Sequence, residues 1–173
     1  MARKKNITKQ DIYSFYMEYY LENGEAPKTV YQLAKRYNFD ETKFYEFFGK
    51  LKAVEKSIFE SFFDQTLNLL EGSEEFATFD GRNKLLTFFY TFFEMLTANR
   101  SYVLSVLERD RKSPQYLKTV SSIKPKYLEF IKTLDIEKLD VKDARIEKIM
   151  GRSMDESLWI QLVLCFKLWM DDD

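Results

Sequence analysis

The sequence predicts an all-α protein: an N-terminal three-helix unit built around a helix-turn-helix, followed by a C-terminal helical bundle. Three observations carry that expectation. In Thr29 to Phe48, TVYQLAKRYNFDETKFYEFF, apolar positions recur at helical spacing on both sides of a single turn residue. Only three prolines and five glycines interrupt 173 residues, which leaves room for long helices. Aromatic residues make up 17% of the chain, sixteen of them Phe, and they fall on the helical stretches where they can fill a core.

Taken in order, Ile7 to Gly24 reads as an amphipathic helix, with Thr8 as N-cap and Gly24 as the left-handed stop. In the next helix Val30, Leu33, Ala34 and Tyr37 share a face, and Ala34 is small enough for a second helix to cross closely. Asn38 follows, the residue other than Gly that most readily takes a left-handed backbone, so it can end that helix and turn the chain. Phe39 plugs the angle between the two helices. Asp40 or Glu41 caps the second helix, on which Phe44, Phe47 and Phe48 are expected inward and Thr42, Lys43, Tyr45 and Glu46 outward. In a helix-turn-helix this second helix is the one that enters a major groove.

Leu51 to Leu70 reads as one long helix ending near Gly72, and EGSEEFATFDG as a loop before a helix over Arg82 to Ala98. A short helix follows Asn99 as far as the charged RDRKS and Pro114. Pro125 must kink or divide the helical pattern of Gln115 to Leu134, because it lacks an N–H and clashes with the preceding turn. Ile136 to Met150 reads as a shorter piece broken by Gly151, and Ser153 as the cap of a final helix, DESLWIQLVLCFKLWM. The domains are expected to be residues 1–50 and 51–173, with helix 51–70 connecting them.

Composition excludes more chemistry than it suggests. The chain has no histidine, which removes the commonest general base and the commonest metal ligand together. It has a single cysteine, Cys165, read as a buried small hydrophobe in a reducing compartment. No glycine-rich phosphate loop or nucleophile elbow occurs, so neither an enzyme, nor a metal site, nor a cofactor is expected. No run of eighteen apolar residues and no signal-peptide pattern is present, and the expected location is cytoplasmic. Residues 1 to 60 hold eleven Lys and Arg against nine Asp and Glu, a weak footprint for a polyanion partner.

The aromatic stretch LLTFFYTFFEML puts Phe88, Phe89, Phe92 and Phe93 around more than one face of its helix, which suggests burial on several sides. Opposite it are set Tyr102, Val106, Tyr127, Phe130, Trp159, Val163 and Phe166, with Met150 and Met154 as adaptable lining. These residues make either a large packed core or a cavity for an apolar ligand.

The residues from about Thr8 to Leu70 resemble the N-terminal domain of the TetR family of bacterial transcriptional regulators, most closely over Thr29 to Phe63. TVYQLAKRYNF looks like that family's second helix and turn, and KFYEFFGKLKAVEKSIFESFF like its recognition helix and the start of its fourth helix. Tyr45 and Phe48 match the family's Tyr-x-x-Phe pair. The chain departs from the pattern with Asn38 where Gly is usual, Asp40 where a small residue such as Ser is usual, and Leu51, flanked by Lys50 and Lys52, where Lys is usual. The resemblance implies a TetR-like fold and a homodimeric repressor that binds a palindromic double-stranded DNA operator through Thr29, Thr42, Lys43, Tyr45, Glu46, Lys50 and Lys52. It further implies an apolar small-molecule or lipid effector among the C-terminal helices. Family members usually carry another long helix after the one matching Ser153 to Met170. The expectation is therefore a dimer built on Asp155 to Met170 through Trp159, Leu162, Phe166 and Trp169, with a C-terminal extension omitted from this sequence or dispensable. The alternative is a lipid-binding protein that keeps the fold without reading DNA.

Overall fold

The computed structural model describes residues 6–109, 115–134 and 144–172, and the side chains of all of these except 115–117 and 144–153. The chain divides into two compact units. The first is Met1–Ser61 with Asn99–Thr119, and the second is Phe62–Ala98 with Val120–Asp173.

In the first unit, α1 (Lys9–Asn23) starts at a reciprocal cap. The Thr8 hydroxyl oxygen accepts from the Asp11 amide at 3.2 Å, and the Asp11 carboxylate accepts from the Thr8 amide at 2.8 Å. Each such cap is worth about 1 kcal/mol. Gly24 ends the helix at φ 70°, a left-handed conformation that costs glycine nothing. The buried face carries Ile12, Tyr13, Tyr16, Tyr19 and Tyr20. Helix α2 (Val30–Tyr37) is capped by Thr29, whose hydroxyl oxygen accepts from the Gln32 amide at 3.1 Å, and it buries Val30, Leu33 and Ala34. Asn38 takes the left-handed turn at φ 57° and ψ 49°, and buried Phe39 follows. Helix α3 (Glu41–Tyr45) is capped by Asp40 and buries Phe44.

Helix α4 (Leu51–Glu71) spans the division between the units without interruption. Val54, Ile58, Phe59, Phe62, Phe63, Thr66 and Leu70 are buried along it at helical spacing. Buried Thr66 satisfies its hydroxyl by donating to the Phe62 carbonyl at 2.9 Å. Helix α7 (Arg100–Arg109) belongs to the first unit and buries Tyr102, Val103, Val106 and Leu107.

In the second unit the stretch expected as a loop contains a short helix, α5 (Glu74–Thr78). Ser73 caps it through the Phe76 amide, and Phe76 is buried. Helix α6 (Gly81–Ala98) follows, its first turn capped by Asp80, whose carboxylate accepts from the Asn83 amide at 2.8 Å. Pro125 divides rather than bends its segment. Helix α8 (Gln115–Val120) passes through a 3-10 turn, Ser121–Ile123, into α9 (Lys124–Thr133), where Pro125 occupies the first turn. There a missing N–H is no loss. The last helix, α10 (Ala144–Asp171), corrects the expected break at Gly151: the helix runs straight through Gly151 and Ser153. An interior glycine costs only about 1 kcal/mol relative to alanine, too little to stop a helix of this length. Residues 135–143, where the preceding piece was expected to begin, lie outside the described residues.

Candidate nucleic-acid interface and aromatic core

The helix-turn-helix is held by caps at both helix starts and by an aromatic bracket. Phe15 of α1 stacks on Tyr37 at 4.4 Å between ring centroids and lies 5.9 Å from Phe39, so α1 brackets the turn with an aromatic ring. Beneath α3, Phe44 and Phe48 pack at 5.7 Å and Phe48 meets Tyr13 at 5.9 Å. Phe47 departs from its expected inward place and is 39% exposed. Helix α3 ends at Tyr45, and a tightened turn follows in which the Phe47 amide reaches back three residues to the Phe44 carbonyl at 3.0 Å. Phe47 thus lies beyond the regular helix, where helical spacing no longer sets its face, and it points out while Phe48 stays in.

Of the residues expected to meet DNA, Thr42, Tyr45, Glu46, Lys50 and Lys52 are exposed, and Tyr45 presents a ring 55% open to solvent. Thr29 is exposed too, although its hydroxyl oxygen is engaged by the α2 cap. The Thr42 hydroxyl donates to the Asp40 carboxylate at 3.2 Å. Lys43 is tied to the Glu46 carboxylate at 2.8 and 3.1 Å.

Sequence reasoning missed a polar cluster inside the first unit. Arg109, the last residue of α7, makes a two-pronged ion pair with Glu55 of α4 at 2.9 and 3.0 Å. Its guanidinium lies 5.8 Å over the Tyr20 ring, whose hydroxyl donates to the Ser105 carbonyl at 3.4 Å. Burial, with Glu55 alongside, holds the Tyr16 hydroxyl far above the ordinary tyrosine pKa, and burial does the same for Tyr102. The Tyr102 hydroxyl is buried without a hydrogen-bond partner among the described residues. Two signals for this cluster stood in the sequence: the Tyr16 to Tyr20 spacing, and Glu55 beside the apolar stripe of α4.

Of the residues expected to line a ligand cavity, Tyr102 and Val106 lie on α7 in the first unit. In the second unit Phe88 meets Phe63 at 5.3 Å, Phe92 at 5.4 Å, Phe130 at 4.8 Å and Tyr127 at 5.9 Å. Phe166 lies 5.8 Å from Phe92, and Trp159 lies 6.3 Å from Tyr127. Phe88 and Phe92 are fully buried, whereas Phe89 is half-buried and Leu86 and Tyr90 are exposed, so α6 buries a stripe rather than its whole circumference. Met154 and Val163 are half-buried, and Met150 lies outside the described side chains.

The expected dimer residues are largely engaged within the second unit. Leu162 and Phe166 are buried, and Trp169 packs on Phe93 while its indole N–H donates to the Thr97 hydroxyl at 3.0 Å. The open apolar stripe of α10 lies on other residues: Ile160, Leu164 and Leu168, at four-residue spacing, are each more than half exposed. Cys165 is half-buried, and burial raises its thiol pKa.

A family model described as "Tetracyclin repressor-like, C-terminal domain" matches residues 84–173, more than half of the chain. The chain belongs to the TetR family. The all-helical fold fits that assignment. No curated relative matches, and neither does any solved structure. This TetR-family chain has, among its described residues, no helix long and apolar enough to cross a membrane.

Proposed function

We propose that this TetR-family chain is a cytoplasmic, ligand-responsive repressor that binds a palindromic operator as a homodimer. The observation that carries the reading is the α2–Asn38–α3 turn, capped at both helix starts, with Tyr45 exposed on α3 above buried Phe44 and Phe48. Tyr45, Lys50 and Lys52 supply phosphate contacts, and Thr42 and Glu46 face the bases. The dimer forms through α10, and its apolar face is centred on Ile160, Leu164 and Leu168 with half-buried Trp159 and Trp169 at its margins. An apolar effector parts the rings around Phe88 and Phe92, and it shifts the recognition helices only if it binds one arrangement better than the other.

The tie between Lys43 and Glu46, with Asp40 and Glu41 beside it, weakens the electrostatic pull on DNA and favours one second reading: a lipid-binding protein with this fold. Selection of genomic fragments by the purified chain, read by sequencing, separates the two. A repressor enriches a short palindrome, and Tyr45→Ala abolishes the enrichment. A folded dimer that enriches nothing at low salt, yet releases a lipid on denaturing extraction, establishes the second reading instead.

A further inference from the structure

We propose that Lys43 and Glu46 act as one unit that reads a G·C base pair in each operator half-site, an inference that rests on the DNA-binding reading above. The two side chains stand three residues apart at the end of α3, with the ammonium 2.8 and 3.1 Å from the two carboxylate oxygens. Both reach solvent beside Tyr45, their side chains 37% and 53% exposed. Exposed pairs at this spacing contribute little to stability, so folding alone does not account for the arrangement.

The paired carboxylate cancels the lysine's charge, which makes Lys43 a poor phosphate contact. What remains is a donor and an acceptor held side by side. In the major groove a G·C pair presents the same elements in complement: the guanine N7 and O6 acceptors adjoin the cytosine N4 amino donor. Lys43 then donates to guanine and Glu46 accepts from cytosine. An A·T pair fits worse, since it offers the ammonium one purine acceptor instead of two and sets thymine O4, an acceptor, near the carboxylate. The neighbouring Thr42 hydroxyl does not compete for this role, because it donates to Asp40.

The test is selection from a randomised duplex library by the full chain, by Glu46→Gln and by Lys43→Ala, with each protein confirmed as folded. The parent should enrich a palindrome containing one G·C pair per half-site at which Glu46→Gln loses roughly five- to hundred-fold of its discrimination. Lys43→Ala should relax the same position and also weaken binding to every sequence, since it leaves the Glu46 carboxylate unpaired near the phosphates. Variants that enrich the parent's sequence unaltered, or a variant-sensitive position occupied by A·T, would overturn this inference while leaving DNA binding intact. A parent that enriches no palindrome removes the DNA-binding reading and this inference together.

Discussion

The two units solve the burial problem with different aromatics, and the difference bears on what each can do. Nine of the eleven tyrosines belong to the first unit, and ten of the sixteen phenylalanines to the second. A buried tyrosine brings a hydroxyl that costs free energy unless it is matched, and where it is matched the ring is held at one depth and one angle. Tyr13 meets the Ser57 hydroxyl at 2.6 Å, Tyr19 pairs with Gln32, and Tyr20 is held between Ser105 and Arg109. Phenylalanine carries no such constraint, and the rings around Phe88 can slide over one another at little polar cost. The first kind of core suits the proposed role of presenting a recognition helix. The second suits the proposed opening around an apolar molecule.

Several substitutions would break or sharpen this contrast. The largest effect is expected for Phe88→Ala, which removes a ring touching Phe63, Phe92, Tyr127 and Phe130. It should cost about 3–5 kcal/mol in urea unfolding, and a loss below about 1 kcal/mol would mean that the phenylalanine core collapses around the gap. Next comes Arg109→Met, which takes the guanidinium from Glu55. Because the Arg109 side chain is 39% exposed, roughly 1–2 kcal/mol is expected, less than for a fully buried pair. Unchanged unfolding would show that the cluster contributes nothing net. Smaller still is the hydroxyl contrast: Tyr13→Phe should cost about 1 kcal/mol, while Tyr102→Phe, at a hydroxyl with no partner among the described residues, should be near neutral or stabilising. Equal costs for the two would contradict the assignment of hydrogen bonds.

The smallest effect at neutral pH becomes visible in alkali. Burial raises the Tyr16 and Tyr102 hydroxyls far above their ordinary pKa of 10.0, and burial with Glu18 and Glu22 nearby pushes Tyr37 up to about 12. Above pH 10 the unfolded chain therefore loses tyrosine protons that the folded chain keeps, and stability falls as pH rises. Tyrosinate absorbance should lag behind that of free tyrosine and then rise cooperatively with loss of helix. A titration that follows free tyrosine would place these hydroxyls in water.

Local rules made the first unit legible. Thr8, Gly24, Asn38 and Asp40 each act within a few residues of themselves, and each performs its expected cap or turn, while Thr29 caps α2 although expected only as a DNA contact. Phe47 departs from its expected face because helical periodicity holds only inside a helix, and α3 ends at Tyr45. The Arg109–Glu55 pair joins residues 54 apart in sequence: Glu55 stands out beside the apolar stripe of α4, but no local pattern names Arg109 as its partner. Tyr102, expected in the ligand lining, lies on a helix whose apolar face would suit either unit, and only tertiary packing places it in the first. On α10 the sequence showed apolar residues on adjoining faces without showing which face the subunit itself would cover. The structure buries Leu162 and Phe166 and leaves Ile160, Leu164 and Leu168 open.

Native mass spectrometry of the chain mixed with its selected palindromic duplex decides whether a dimer binds the operator, because one spectrum reports oligomeric state and DNA occupancy together. A complex of two chains on one duplex is expected, and Leu164→Glu should reduce it to free chains and free duplex. One chain per duplex, or a dimer that stays free of DNA at low salt, would contradict the proposed function.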